Sequence, residues 1–218
     1  MSEKPLHAAL KQRYACPDDQ VEAAVDGFII DIVRDDLLIE IQTRGFSALK
    51  SKLTRLTDRH PVRLVYPVAQ EKWIVKVAPD GRTRLSRRKS PKRGTFQEVF
   101  AELVSFPRLL LKSNFSLEVL LIQEEETRRF DRTRAWRRRG WVTQERRLLG
   151  IVDRRLFETP ADLAALLPST LPEPFTTSDL AAADPIRRSL ASRMAYCLRE
   201  MGAIVPVGKR RNAILYRR

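Results

Sequence analysis

Residues Gly27–Thr43 read GFIIDIVRDDLLIEIQT, and this stretch decides how the rest of the chain is arranged. Two runs of β-branched and aliphatic residues flank a polar step at Arg34-Asp35-Asp36, the pattern of a short β-hairpin. With a four-residue loop from Arg34 to Leu37, Asp31 falls opposite Glu40 and Ile29 opposite Gln42. A three-residue loop would lose that register.

Carboxylates facing each other across a ladder repel and weaken the sheet. Within apolar strands they are also partly desolvated, which favours the neutral acid. A compensating charge is therefore expected. A divalent cation supplies it directly, because hard cations such as Mg²⁺ take carboxylate, carbonyl and water oxygens. The alternative is that both acids face solvent on a half-exposed sheet.

The order Gly-Phe-Ile-Ile-Asp31-Ile, a short turn, then Ile-Glu40-Ile-Gln42 resembles the core of the PD-(D/E)xK nuclease superfamily, with an Asp on one strand and Glu-x-Lys on the next, followed by a helix. The resemblance covers residues 1–77 well and the next eighty weakly. It implies an α/β fold, a restriction-endonuclease-like mixed sheet flanked by helices. It also implies Mg²⁺ or Mn²⁺ held by Asp31, Glu40 and the Ile41 carbonyl. Gln42 stands where the catalytic Lys usually does. Some restriction enzymes of the superfamily use Glu-x-Gln, and a decayed site would look the same. Lys50 or Lys52 on the following helix is the candidate for a migrated cation. The first helix of the superfamily often carries a further acid; here Glu22 is the nearest stand-in, ahead of Asp26.

The global numbers agree with a phosphate-rich partner. The formal net charge is +14 and the pI about 10.4, which suits nucleic acid or an anionic membrane surface. No apolar run reaches the roughly 18 residues that span a bilayer. The N-terminus lacks a signal peptide's apolar core. Cys16 and Cys197 are too few for a disulfide framework or a zinc site. A cytoplasmic location is expected, with DNA as the partner, RNA as the alternative, no membrane, and homodimer formation left open.

A first helix is expected over Pro5–Tyr14, with Leu6, Leu10 and Tyr14 on one stripe. A second should follow Gly45 with Phe46, Leu49, Leu53 and Leu56 inside. Val62–Val68 and Trp73–Val77 read as two strands, and Thr95-Phe-Gln-Glu98 has capping-box spacing. Ser116–Gln123 is strand-like, with Glu124–Glu126 as its solvated end. Segments 82–93 and 128–147 read as basic loops able to neutralise phosphates without reading sequence. The second has nine arginines against Asp131 and Glu145, and its Trp136, Arg137, Arg138, Arg139 and Trp141 suit a nucleic-acid backbone or its bases. Leu148–Phe157 closes the first domain, residues 1–158.

Residues 159–218 read as a separate α+β module. Thr159-Pro160 opens one helix, Thr176 or Thr177 caps a second, and Asp184-Pro185 opens a third that Gly202 stops. A hairpin with a basic tip follows. Three helices and a basic hairpin resemble a winged helix-turn-helix domain, whose last helix enters the major groove while the wing touches the backbone. The resemblance implies base or phosphate contacts from Arg187, Arg188, Ser189, Ser192, Arg193 and Tyr196, and from Lys209, Arg210 and Arg211 on the wing. Winged helices also serve as protein-interaction modules.

The function expected from these features is a metal-dependent DNA endonuclease positioned by the winged helix. The alternatives are a catalytically dead DNA-binding regulator or scaffold and an RNA-binding or RNA-processing factor. The two histidines, His7 and His60, have no catalytic motif around them, and no Gly-rich phosphate loop is present.

Overall fold

The computed structural model describes residues 4–131 and 140–218. Its sheet begins one strand earlier than the hairpin at Gly27–Thr43 implies. Asp26 and Gly27 both have positive φ, 49° and 80°, as a two-residue turn with right-handed strand twist requires. They join β1 (Gln20–Val25) to β2 (Phe28–Arg34). A second tight turn at Asp35-Asp36 leads into β3 (Leu37–Ile41), and the ladder Ile32↔Ile39, Val33↔Leu38, Arg34↔Leu37 has the expected register.

α1 (Pro5–Tyr14) precedes these strands, and a 3₁₀ turn at Ser47–Leu49 and α2 (Lys50–Leu56) follow them. The chain then returns as β4 (Val62–Val77), a single strand and not the two expected; a bulge between Ala69 and Glu71 absorbs the polar interruption. β3 runs parallel to the first half of β4, from Val62 to Val65. β5 (Arg84–Lys89) runs antiparallel to its second half, from Trp73 to Val77. The segment expected as a basic loop is therefore a strand, with all six of its residues exposed.

Between β3 and β5 no strand pairs with the edge of β4 over Tyr66–Lys72 among the described residues, and Ser90 caps the far end by donating to the Lys72 carbonyl at 2.7 Å. Pro61, Val65 and Ala69 turn their carbonyls to that edge, so Pro67 is the edge-facing residue between the last two. It carries no N–H, which suits it to a strand edge. Gly94 donates to the Ala69 carbonyl midway along this edge; a Cβ there would lie 2.5 Å from that oxygen.

A 3₁₀ turn at Phe96–Val99, α3 (Phe100–Leu103) and a turn at Pro107–Leu111 lead to β6 (Phe115–Phe130) and β7 (Trp141–Phe157). The result is a seven-stranded mixed sheet in the order β1-β2-β3-β4-β6-β7, with β5 beside β4. The expected Thr95 capping box does not form. The Glu98 N–H bonds the Thr95 carbonyl in a 3₁₀ turn, and the Glu98 carboxylate goes to Lys92 at 3.0 Å. Residues 128–131 and 140–147 of the second basic segment belong mainly to the ends of β6 and β7; Trp136 and Arg137, Arg138 and Arg139 lie outside the described residues.

α1 covers one face, with Leu6 and Leu10 over Ile32, Ile39, Ile41, Val65, Leu120 and Ile122. The other face carries α2, α3 and the C-terminal elements: α4 (Pro160–Ala164), α5 (Thr177–Ala183), α6 (Arg188–Glu200), and a two-stranded sheet of β8 (Val205–Arg210) and β9 (Ala213–Arg217). Capping boxes Thr159–Asp162 and Thr176–Asp179 start α4 and α5. Asp184 does not cap α6; it ends α5 and accepts from Gln97 at 2.9 Å, so α6 starts at Arg188.

One continuous core runs from Ile30, Leu38 and Phe46 through Leu117 and Phe157 to Phe175, Met194, Leu198 and Tyr216. Residues 159–218 thus bury their apolar face against the main sheet's helices. A single unfolding transition is expected in urea. Met194→Ala should lower stability by about 2–5 kcal/mol, the range for a buried large-to-small change. Two resolved transitions, with only the later half of the chain sensitive to Met194→Ala, would refute the shared core.

Candidate active site

The β2–β3 ladder stops at Ile32↔Ile39, and immediately beyond that pair the two strands diverge. There the Asp31 carboxylate takes the place of a ladder partner, accepting the Ile41 N–H at 2.8 Å. Gln42 continues along β4 instead, its N–H on the Val65 carbonyl at 2.9 Å. Ile29, expected opposite Gln42, pairs with Ala24 of β1. This divergence brings side chains from both helical layers to the acids.

From α2, Lys52 donates to Glu40, and also to the Ile29 carbonyl at 2.6 Å. Glu40 is 5% exposed. From α1, His7 Nε2 lies 3.2 Å from Asp31 Oδ2. Lys11, one turn along the same side of α1, reaches Glu22 of β1. Burial pushes the Asp31 carboxyl up, but His7, the Ile41 N–H and the Lys52 charge together hold it below the usual carboxylate range. At Glu40 burial wins: its carboxyl is raised in spite of Lys52, and the neighbouring Asp31 charge adds to the rise. The two acids are therefore unlike, one held below the usual carboxylate range and one raised above it by burial in spite of the ammonium beside it.

Of the residues singled out from sequence, Asp31, Glu40, Ile41 and Lys52 come together. Gln42 folds onto its own turn, with Nε2 on the Gly45 carbonyl at 3.0 Å. Lys50 is two positions from Lys52, about 200° around the helix, and lines a groove with Tyr196 and Glu200 of α6. Glu22 is exposed and committed to Lys11. His7 is the site residue that sequence motifs do not reveal. Its one signal is the His7/Lys11 pair at helical spacing beside the Leu6/Leu10 stripe, a basic row laid over the acids of β1 and β2.

Glu124–Glu126 is not the solvated strand end expected. β6 is a central strand, and Glu124 and Glu126 are 0% and 5% exposed. Lys72 Nζ lies 2.8 Å from Glu124 and 2.9 Å from Glu126; Arg146 forks onto Glu124 and Arg128 bonds Glu126. Burial raises the Glu126 carboxyl, but Lys72 and Arg128 override it and bring it down to about 2. Glu125 faces the other way and pairs with Arg87. No cluster of three or more His, Cys, Asp or Glu suited to a metal ion occurs among the described residues.

The family model described as a domain of unknown function, DUF8091, matches residues 4–158. The chain belongs to the DUF8091 family. A protein of Treponema pallidum (strain Nichols), itself described as an uncharacterized protein, is 34% identical over 218 residues, 99% of this chain and 85% of its own. No solved structure matches.

In this DUF8091 chain the C-terminal module presents a second surface. Arg187, Arg188, Ser189, Ser192, Arg193 and Tyr196 are all exposed along α6, as are Lys209, Arg210 and Arg211 at the tip of the β8–β9 hairpin. Arg188 reaches Ser178 of α5, Arg193 the Ala101 carbonyl of α3, and Arg210 Asp179. One edge of the α6 face thus abuts α3 while Ser189, Ser192 and Tyr196 look outward. No helix of the described residues is long and apolar enough to cross a membrane.

Removing the ammonium from a buried carboxylate leaves a charge uncompensated. Lys52→Met is expected to cost about 3 kcal/mol at neutral pH, with most of the loss recovered in Lys52→Met/Glu40→Gln. Urea denaturation of the three proteins measures it, and a single-variant cost within about 0.5 kcal/mol, the surface value, would show that Lys52 is an ordinary solvated lysine.

Proposed function

We propose that this protein is a metal-dependent nuclease that cleaves DNA phosphodiester bonds, with the C-terminal module resting on the duplex as a winged helix does. The observation that carries the reading is the convergence of Asp31 and Glu40 where β2 and β3 diverge, with Lys52 donating to Glu40. Lysine chemistry missing at Gln42 is thereby restored from α2.

The donor set fits a hard cation. Asp31, Glu40 and the Ile41 carbonyl are the groups that would hold Mg²⁺ or Mn²⁺, and Mg²⁺ commonly binds through one or two carboxylates with water and phosphate oxygens filling the rest. Such an ion supplies an activated water and stabilises charge on the phosphate. The chain's own residues do the remainder. His7 and the Ile41 N–H fix Asp31 Oδ2. Lys52 Nζ donates to Glu40, offsetting part of the cost of its burial, and stands ready to orient a water or a phosphate oxygen. The exposed α6 face and the basic hairpin tip supply positioning contacts to phosphates and base edges. The same reading places the protein in the cytoplasm, with its nucleic acid.

A second reading, a DNA-binding regulator or scaffold with an inactive site, is favoured by the Gln42 side chain being tied to Gly45. The exposed arginines of β5 suit RNA as well as DNA. Cleavage of plasmid and linear DNA in Mg²⁺ separates these. Asp31→Asn should lower the single-turnover rate on the order of a hundredfold or more, with DNA affinity in EDTA unchanged. Cleavage that survives Asp31→Asn undiminished would remove the assignment.

A further inference from the structure

Beyond Ile41 the sheet continues as a long arm built from the second halves of β4, β6 and β7. Along it Lys72 stands beside Glu124 in register, and Glu126 beside Arg146. Here the buried ion cluster opens into a trough of about 530 Å³ lined by Arg44, Lys72, Glu126, Trp141, Thr143 and Arg146. We propose that this trough is a phosphate subsite, holding a backbone phosphate of the nucleic-acid strand that lies across Asp31 and Glu40. The proposal rests on the nuclease reading for the strand's path.

Three features carry it. The first is charge: among the described residues Lys72, Arg128 and Arg146 share two carboxylates, Glu124 and Glu126, so the cluster retains one positive charge, and exposed Arg44 at the rim adds another. The second is rigidity. Arg146 forks onto buried Glu124 at 2.9 and 2.5 Å and donates from its remaining end to the Thr43 carbonyl at 2.9 Å. Its ordering entropy is already spent in the fold, so a bound anion need not fix a loose side chain. Trp141 walls one side, with Phe130 edge-on to it at 5.4 Å and Lys76 4.3 Å over its ring; an apolar wall of this kind strengthens ionic contacts beside it.

The third feature is position. Thr43, which Arg146 grips, is two residues past Ile41, whose N–H is bound to Asp31. The trough and the carboxylates are thus joined through a few residues of one strand end. A ligand with a single anionic group could fill the trough, but a polymer with an anion at every step could occupy it and reach the carboxylates together.

The test is fluorescence anisotropy in EDTA, where cleavage plays no role, using a labelled single-stranded oligodeoxynucleotide and an abasic phosphodiester strand of equal length. Arg44→Glu reverses charge at the rim without touching the ion cluster. Arg59→Glu makes the same charge change on an exposed residue just past the far end of α2. Arg44→Glu should weaken both strands about tenfold and lower the salt slope by roughly one to two, while Arg59→Glu changes affinity by less than about twofold. Equal binding by Arg44→Glu and wild type, or an equal loss in Arg59→Glu, overturns the subsite. Loss confined to the base-bearing strand also overturns it, since the proposed contact is to phosphate. A protein that binds as described yet never cleaves DNA would keep the subsite and discard the nuclease reading; one whose metal-dependent cleavage is indifferent to Arg44→Glu would do the reverse.

Discussion

The repulsion between Asp31 and Glu40 is the constraint around which this fold is arranged. Two carboxylates at adjoining strand positions within an apolar sheet would be unfavourable alone. The molecule answers from both sides of the sheet, with the His7 ring from α1 and the Lys52 ammonium from α2, and by separating the strands so that Asp31 can accept the Ile41 N–H. Each answer needs an element held in place. α1 is seated by Leu6 and Leu10, α2 by Leu53 and Leu56. Buried apolar contacts position the site, and the site's electrostatics in turn dictate which polar residues those helices carry.

The same logic recurs along the arm, where Glu124 and Glu126 are buried and held by Lys72, Arg128 and Arg146. Pairs of this kind are neutral to stability on balance but costly to break. They also hold arginine and lysine head groups at fixed places beside the point where β2 and β3 diverge. A chain with a net charge of +14 thereby orders some of its cationic excess on one face. β5 and the exposed edge of α6 carry much of the rest outward.

Much of the central hairpin is legible in the sequence because its information is local. Alternating apolar runs and a short polar turn set the β2–β3 register, Gly202 stops α6, and Thr159 and Thr176 announce their helices. What stays hidden depends on partners distant in sequence. β1 (Gln20–Val25) has no apolar run of its own to announce it, and only Asp26-Gly27 betrays it, as a turn that needs two positive φ angles. Glu124 and Glu126 look like a solvated strand end until Lys72 and Arg146 are brought beside them. His7 lacks a motif because its partner is 24 residues away. Asp184 looks like an N-cap by local rules, but Gln97 claims its carboxylate. The lysine of the site emerges only as a pair of candidates, since a helix whose exact start is unknown does not reveal which of Lys50 and Lys52 faces inward.

The nuclease proposal requires the Asp31–Glu40 pair to hold a cation. Calorimetric titration of Mn²⁺ into the wild type and Asp31→Ala tests it most directly. A cation site there gives saturable binding to the wild type that is lost in Asp31→Ala while the variant keeps its fold by circular dichroism. Absence of binding to the wild type with DNA present, or binding of equal strength in the variant, would contradict it.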